Sequence, residues 1–278
     1  MVGKRNGWYK TAYNAPLRAF LQEQEPYCVS ACARIMKRNW LLDDMWAFYE
    51  RGAISALFFH SQRSLFPIFN RNENIPFPFF MERFLKKTAI HASQGLSVDV
   101  EILQNFMACF GIQPRQIIDY DLMTLEGMPA IPSEEHPSLI LRRPLDEDMD
   151  RLYRLQAAYE QEEVLPQGVE FNPAACRKTL EHIVAHEKII IACIGSRIVG
   201  KINTTAASFS HYQIGGVFVH PDYRRQGIAS RMAAVFIHLL CTEGKDITLF
   251  VKKRNVIART VYQRVGFRVL DEYRINYY

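Results

Sequence analysis

The chain has 278 residues, of which 49% are hydrophobic and 23% charged. That is ordinary globular usage and excludes a disordered, collagen-like or coiled-coil protein. The length suits one large domain or two of about 130–140 residues. No stretch approaches the ~20 apolar residues of a membrane helix, and Met1–Lys10 has no apolar run before a small-residue cleavage site, so a soluble cytoplasmic protein is expected. The net charge of +5 is uneven: residues 224–264 hold nine Lys or Arg against Glu243 and Asp246, which makes that segment +7 and leaves −2 elsewhere. A local positive field suits a polyanion, either nucleic acid or a phosphorylated cofactor.

Six cysteines (Cys28, Cys32, Cys109, Cys176, Cys193, Cys241) show no paired ligand spacing. They are expected to be free, buried thiols, with neither a disulfide framework nor a zinc site. Cys28 and Cys32 are four apart, which places them on one helix face.

In the first half, Trp46–Phe59 and Ser64–Phe69 read as a hairpin around His60–Arg63. Pro78–Lys87 reads as a helix, Ala89–Ser93 as a strand, Val98–Phe110 as a helix and Arg115–Leu122 as a strand. Thr124–Pro137 combines three prolines, a glycine and three acids without an apolar period. It is expected to link two domains, 1–130 and 137–278.

In the second half, Ser138–Arg143 reads as a strand ended by Pro144. Asp146 is placed to cap a helix on which Leu145, Met149, Leu152, Leu155 and Tyr159 recur at helical spacing. A helix over Pro173–Glu187 follows, then the strands Lys188–Ile194 and Arg197–Thr205 around a Gly195–Ser196 turn, and a third strand, His211–Val219. Ser230–Thr242 reads as a helix, Asp246–Val251 as a strand, and Asn255–Val265 as a helix closed by Gly266; Phe267–Tyr278 supplies one or two last strands. This β-α-α-β-β-β-α-β-α-β order predicts an α/β layer fold.

The chemistry concentrates in Val219-His-Pro-Asp-Tyr-Arg-Arg-Gln-Gly-Ile-Ala229, between a strand and a helix. Gly227 and Ala229 let an anion approach the backbone, and the first N–H groups of a helix lack intrahelical partners and favour phosphate. Arg224 and Arg225 add charge. The eleven residues resemble the acetyl-CoA signature V-x-P-x-x-(R/Q)-x-x-G-x-(G/A) of the GNAT superfamily of N-acetyltransferases, filled here by Val219, Pro221, Arg224, Gly227 and Ala229. Asn255-Val-Ile-Ala258-Arg-Thr-Val-Tyr262-Gln-Arg-Val-Gly266-Phe267 resembles a second motif of that family, N-x-x-A-x-x-x-Y-x-x-x-G-F.

The resemblance covers about 138–278. It implies a mixed central sheet flanked by helices, preceded by a smaller α/β domain that is a candidate degenerate GNAT-like copy in a tandem arrangement. No residue-level repeat and no R-x-x-G-x-(G/A) loop mark residues 1–130. The resemblance further implies direct transfer of an acetyl group from acetyl-CoA, the cosubstrate, to a primary amine, without a metal. Backbone amides of Arg225, Gln226, Gly227, Ile228, Ala229 and Ser230, with Arg224, would hold the pyrophosphate. Main-chain groups of Val217, Phe218 and Val219 would pair with the pantetheine arm, Asn255 would contact the cofactor, and Tyr262 would lie near the sulfur.

Asn255, Ala258 and Tyr262 share one helix face. Tyr262 is protonated at neutral pH and is a candidate acid for the departing thiolate. The position where some family members carry a glutamate on the preceding strand is Gln213, which takes no proton. Glu163 and Glu162, in the acidic run Glu160-Gln-Glu162-Glu163, rank ahead of His211 as candidates for the base or for amine recognition. The expected partners are acetyl-CoA and an amine acceptor, small molecule or protein, with a homodimer as candidate assembly and no nucleic acid or membrane. The alternative is a non-catalytic acetyl-CoA-binding sensor or regulatory module.

Overall fold

In the computed structural model, which describes residues 5–37, 43–70, 75, 76, 78–129 and 138–278, the chain divides into two units: 1–122 with 271–278, and 123–270. The first unit contains β1 (Gly7–Lys10), α1 (Ala15–Met36), β2 (Asp44–Glu50), β3 (Ala53–Ser61), β4 (Ser64–Phe69), α2 (Met81–Leu85), β5 (Ala92–Leu96), α3 (Ser97–Ala108) and most of β6 (Gln116–Leu125). It is completed by the end of the last strand, β12 (Phe267–Tyr277), which lies next to β5 with Tyr273 opposite Leu96 and Tyr277 opposite Ala92. β4 and β5 are parallel, and the pairs before them are antiparallel.

The apolar run Trp46–Phe59 is two strands rather than one. Arg51 and Gly52 both take positive φ (48° and 85°) and turn the chain between β2 and β3. The turn after His60 lies where it is expected, with Ser61 opposite Ser64. Its strands pack Phe48, Phe58, Leu65 and Phe69 against Met81, Phe84, Leu103 and Met107 of the helices, and Trp8 stacks on Phe58 at 5.0 Å. Helix α1 has no counterpart in the sequence reading. Asn14 caps it by accepting from the Leu17 N–H at 3.0 Å. Pro26 removes one of its donors, and the helix kinks at Cys28 (φ −142°, ψ 35°). Cys28 and Cys32 do share a face, with Sγ atoms 3.5 Å apart. All six cysteines are free; four are buried, Cys241 is half-buried and Cys109 is exposed.

The second unit contains β7 (Leu139–Arg142), α4 (Met149–Tyr159), α5 (Pro173–His186), β8 (Ile189–Ile194), β9 (Arg197–Ala207), β10 (His211–Val219), α6 (Ile228–Cys241), β11 (Asp246–Lys252), α7 (Val256–Val265) and the start of β12. A 3-10 turn, Asp146–Asp148, leads into α4, and a π-helical turn, Glu160–Val164, follows it. Strand order runs β11-β10-β9-β8-β7, with β10 parallel to β11 and antiparallel to β9. This is a mixed sheet covered on both faces, as strand alternation requires. Ile189, Ile191 and Cys193 pack against Leu152 and Leu180 of α4 and α5. Ile190 and Ala192, with Val199, Ile202, Ile214, Ile247 and Leu249, pack against Met232, Phe236, Ile237 and Leu240 of α6. Of the expected linker Thr124–Pro137, Thr124 and Leu125 close β6, and 130–137 lie outside the described residues. Among the described residues, no helix is long and apolar enough to cross a membrane.

One buried charge anchors the start of α4. Asp148 is fully buried, accepts from Arg142 at 2.5 and 3.0 Å, from Arg151 at 2.9 Å and from the Leu145 N–H at 2.8 Å. The Arg142 hydrogen bond holds its carboxyl below the usual aspartate value. Asp148→Ala removes the acceptor of two half-exposed arginines and of the Leu145 N–H and is expected to cost about 1–3 kcal/mol in urea unfolding. A depressed carboxyl pKa gives stability present above the ordinary aspartate value and lost as pH falls through the folded one. The gap between wild type and variant should therefore narrow in acid, below about pH 4.

Candidate functional site

The cleft begins with one extra residue in β10. Gly215 is opposite Asn203 and Phe218 is opposite Lys201, so Gly216 and Val217 together face Ile202 alone. This is a β-bulge with glycine in the left-handed conformation (φ 58°). A Cβ on Gly216 would fall 2.2 Å from Asn203 Oδ1 and 2.7 Å from Lys201 Nζ, so the position accepts only glycine. Pairing of β10 with β11 runs from His211–Asp246 to Ile214–Leu249 and stops there. Beyond the bulge the two parallel strands diverge. Val217, Phe218 and Val219 line the opening on one side and Lys252 on the other.

At the end of β10 the chain makes a 3-10 turn over Pro221–Tyr223 and enters the basic loop. Arg224 Nε donates to the Val219 carbonyl at 3.0 Å, folding the loop back onto the strand. Arg225 and Gly227 both take positive φ (64° and 73°). Such turns present successive N–H groups to an anion. Gly227 is the N-cap of α6 and contributes no side chain, so the first N–H groups of the helix are left to a ligand. Space is open where its Cβ would stand.

The opposite wall is α7. Asn255 caps it by accepting from the Ala258 N–H at 3.0 Å, and Ile257, Ala258, Val261 and Tyr262 reach the cleft from the same helix. Tyr262 is buried, and desolvation, reinforced by Tyr159 and Glu163, raises its phenol well above the ordinary tyrosine value. It therefore holds its proton firmly at neutral pH. Together these walls enclose about 950 Å³. That is ample for a cofactor-sized ligand.

The π-helical turn after α4 brings Glu162 and Glu163 to the same cleft. Such turns insert one residue and re-aim the side chains that follow. Glu162 accepts from Arg224 at 2.8 Å. Lys252 donates to the Glu163 backbone carbonyl and lies 3.4 Å from its carboxylate. Two carboxylates thus face five cations of the lining: Arg224, Arg225, Lys252, Arg254 and Arg264.

The expected positions converge. Val217, Phe218, Val219, Arg224, Arg225, Gly227, Ile228, Ala229, Ser230, Asn255, Tyr262, Glu162 and Glu163 all line this cleft, and Gln226 is the one loop residue that does not. His211 and Gln213 stand at the start of β10, where Gln213 Nε2 donates to Thr205 Oγ1 at 3.0 Å, and neither lines the cleft. Among the described residues, no group of three or more His, Cys, Asp or Glu is arranged to hold a metal.

Sequence reasoning missed a buried polar cluster beneath the bulge. Lys201 is fully buried in the middle of β9. Its Nζ donates to the Gly216 carbonyl at 2.9 Å and to Asn203 Oδ1 at 3.1 Å, and lies 4.5 Å from the Tyr159 ring centre. The Tyr159 hydroxyl is hydrogen-bonded to the Gly216 backbone, while burial pushes its pKa up to about 12. Burial lowers the Lys201 ammonium to about 7, with Glu160 opposing the shift. The available signal was lysine and asparagine two apart on a strand of Ile198, Val199 and Ile202, on one face of a central strand.

Residues 149–267 match the Acetyltransferase (GNAT) family model. The cysteine-rich protein 2-binding protein of Homo sapiens is 34% identical over 113 residues, which is 40% of this chain but only 13% of the human protein's length. A GCN5-related N-acetyltransferase from Sphaerobacter thermophilus shares the fold with a TM-score of 0.61, at 15% identity, over 97% of this chain and 94% of that one. A tandem GNAT protein from the clavulanic acid biosynthesis pathway does so with a TM-score of 0.57, at 12% identity, over 97% of each chain.

The depressed Lys201 pKa makes stability depend on pH. Between about pH 7 and the ordinary lysine value near 10, the unfolded chain binds a proton that the folded chain does not, so stability rises with pH. The groups packed around it, Tyr159 from α4, Glu160 from the π-helical turn and Cys176 from α5, are retained in Lys201→Met and largely cancel in the comparison. Wild type is expected to gain on Lys201→Met in urea unfolding between about pH 7 and 9.

Proposed function

Because residues 149–267 form a domain of the GNAT acetyltransferase family, we propose that this protein transfers an acetyl group from acetyl-CoA to a primary amine, of a small molecule or a protein, by direct attack. The observation that supports this best is the diverging pair β10 and β11, with the Gly227 loop at one end of the opening and Tyr262 on its wall. Acetyl-CoA supplies the activated acyl group. The N–H groups from Arg225 to Ser230, with Arg224, hold its pyrophosphate. The main chain of Val217–Val219 runs alongside the pantetheine arm as an added strand would, and its N–H groups stabilise charge developing on the acyl oxygen.

Two proton movements complete the reaction. The amine nitrogen forms its bond to the acyl carbon and gives up a proton, which we assign to Glu163, with Glu162 as the second carboxylate of the cleft. The carbon–sulfur bond breaks, and the sulfur takes a proton from Tyr262. The acceptor approaches from the side of the π-helical turn, where the carboxylates attract a cationic amine. No metal is required by this scheme.

The first unit is proposed to be a degenerate GNAT-like copy serving as an accessory domain. Its order β-α-β-β-β-α-β-α-β repeats that of the second unit except for α5, and β4 and β5 form a parallel pair as β10 and β11 do. It lacks a basic glycine loop between β4 and α2, so the cofactor is assigned to the second unit alone.

Gly227→Glu places a carboxylate where the phosphate should sit and is expected to abolish acetyl-CoA binding in calorimetry, with the far-UV spectrum unchanged. Undiminished affinity in that variant removes the loop from the reading. Tyr262→Phe should leave affinity within about three-fold and lower the rate of CoA release over an amine library by ~10²–10⁴. An unchanged rate makes Tyr262 structural. Binding without CoA release from any amine would leave a sensor of acetyl-CoA rather than an enzyme.

A further inference from the structure

We propose that Lys201 is a positioning residue of the transfer reaction: its Nζ fixes the Gly216 peptide of the β10 bulge and so aims the main-chain groups of Val217–Val219 into the cleft. The proposal rests on the acetyl-CoA reading of that cleft, but the anchoring itself does not.

A bulge leaves main-chain groups of the extra residue without ladder partners. Buried and unpaired, such groups carry their full desolvation penalty. Here both needs of Gly216 are met by side chains. Its carbonyl accepts from Lys201 at 2.9 Å, and its backbone also bonds to the Tyr159 hydroxyl. Asn203 completes the arrangement: Oδ1 accepts from Lys201 at 3.1 Å, and Nδ2 donates to the Thr204 carbonyl at 2.8 Å. The lysine is thus held on two sides, and it holds the glycine.

The position of this contact matters more than its strength. Gly216 immediately precedes Val217–Val219, the stretch of β10 that has left β11 and lines the cleft. The Gly216 carbonyl shares one planar peptide with the Val217 N–H, so if that peptide rotates the Val217 N–H turns with it. An aliphatic residue at 201 would avoid burying an amine, and replacing buried charge by apolar groups is often neutral or stabilising. It would also orphan the Gly216 carbonyl and free the Gly216–Val217 peptide to rotate. Lys201 is fully buried and does not line the cleft, so it acts through the bulge and not on substrate.

The test compares wild type with Lys201→Met in the full chain. The first readout is amide hydrogen exchange without ligand. Exchange at Gly216, whose backbone bonds to Tyr159, and at His220, whose N–H donates to the Val199 carbonyl at 2.8 Å, should accelerate at least about ten-fold, while β8 changes less than about two-fold. The second is the carbonyl stretch of bound acetyl-CoA, isotope-labelled at that carbonyl. The stretch should move back towards its value in free acetyl-CoA, with affinity within about five-fold because the Gly227 loop is untouched. Wild-type exchange and a wild-type band in the variant overturn the proposal. If wild type itself does not bind acetyl-CoA at millimolar concentration, the functional reading fails, and exchange alone decides the anchoring: faster exchange upholds it and equal exchange refutes it. Should Lys201→Met not fold, Lys201→Gln replaces it. Its shorter side chain stops short of the Gly216 carbonyl, so the same defects are expected at reduced size, and wild-type behaviour overturns the proposal.

Discussion

The cleft exists because β10 carries one residue more than its partner can pair. Two residues, Gly216 and Val217, stand opposite Ile202, and the pairing of β10 with β11 has ended just before them, at Ile214. A regular strand here would close the sheet, and the second unit would be a plain layered α/β body with no opening at its centre. The constraint falls on Gly216 twice. Its φ of 58° is unfavourable for a side chain, and the space a side chain would need is filled by Asn203 and Lys201. The backbone geometry at Gly216 and the buried polar contacts beneath it therefore follow from one insertion.

Electrostatics follow from where the elements end. The cleft lies at the N-terminus of α6, whose dipole is positive there, and at the basic ends of β11 and α7. Without a polyanion such a surface repels itself, and the carboxylates of the π-helical turn relieve it: Glu162 on Arg224, and Glu163 on Lys252. The Arg224–Glu162 pair is well exposed on both sides and is worth little in stability, so it yields readily to a ligand of higher charge. The Tyr262 phenol is buried and strongly protonated, a different environment a short way along the same wall.

Legibility in the sequence followed the chemistry that leaves little choice of residue. The loop Arg224–Ala229 is legible because small Gly227 and Ala229 stand beside basic Arg224 and Arg225, and the second-unit elements are legible because their apolar periods are clean. Trp46–Phe59 misled because its apolar run continues across the turn, and only Arg51–Gly52 marks the break. Helix α1 is faint in the sequence because its apolar stripe is weak and Pro26 falls in its middle. The polar roles of Lys201 and Tyr159 are hidden for a different reason. Each sits where the period demands an apolar residue, and their role depends on a bulge that alternation along β9 cannot reveal. The π-helical turn likewise has no local composition signal beyond its glutamates.

The final strand carries a consequence for how the molecule assembles itself. Tyr273–Tyr277 pair with Ala92–Leu96, and Ser93 meets Tyr278 across 185 positions of sequence. The first unit is thus numbered first but finished last. During synthesis, β1 to β6 emerge long before the strand that belongs beside β5 has been made, and until then that flank of β5 is an open sheet edge. Closing so distant a pair also demands a large loss of chain freedom before any contact is gained. The waiting edge is where a nascent or unfolding copy of this chain is most exposed to pairing with the wrong strand.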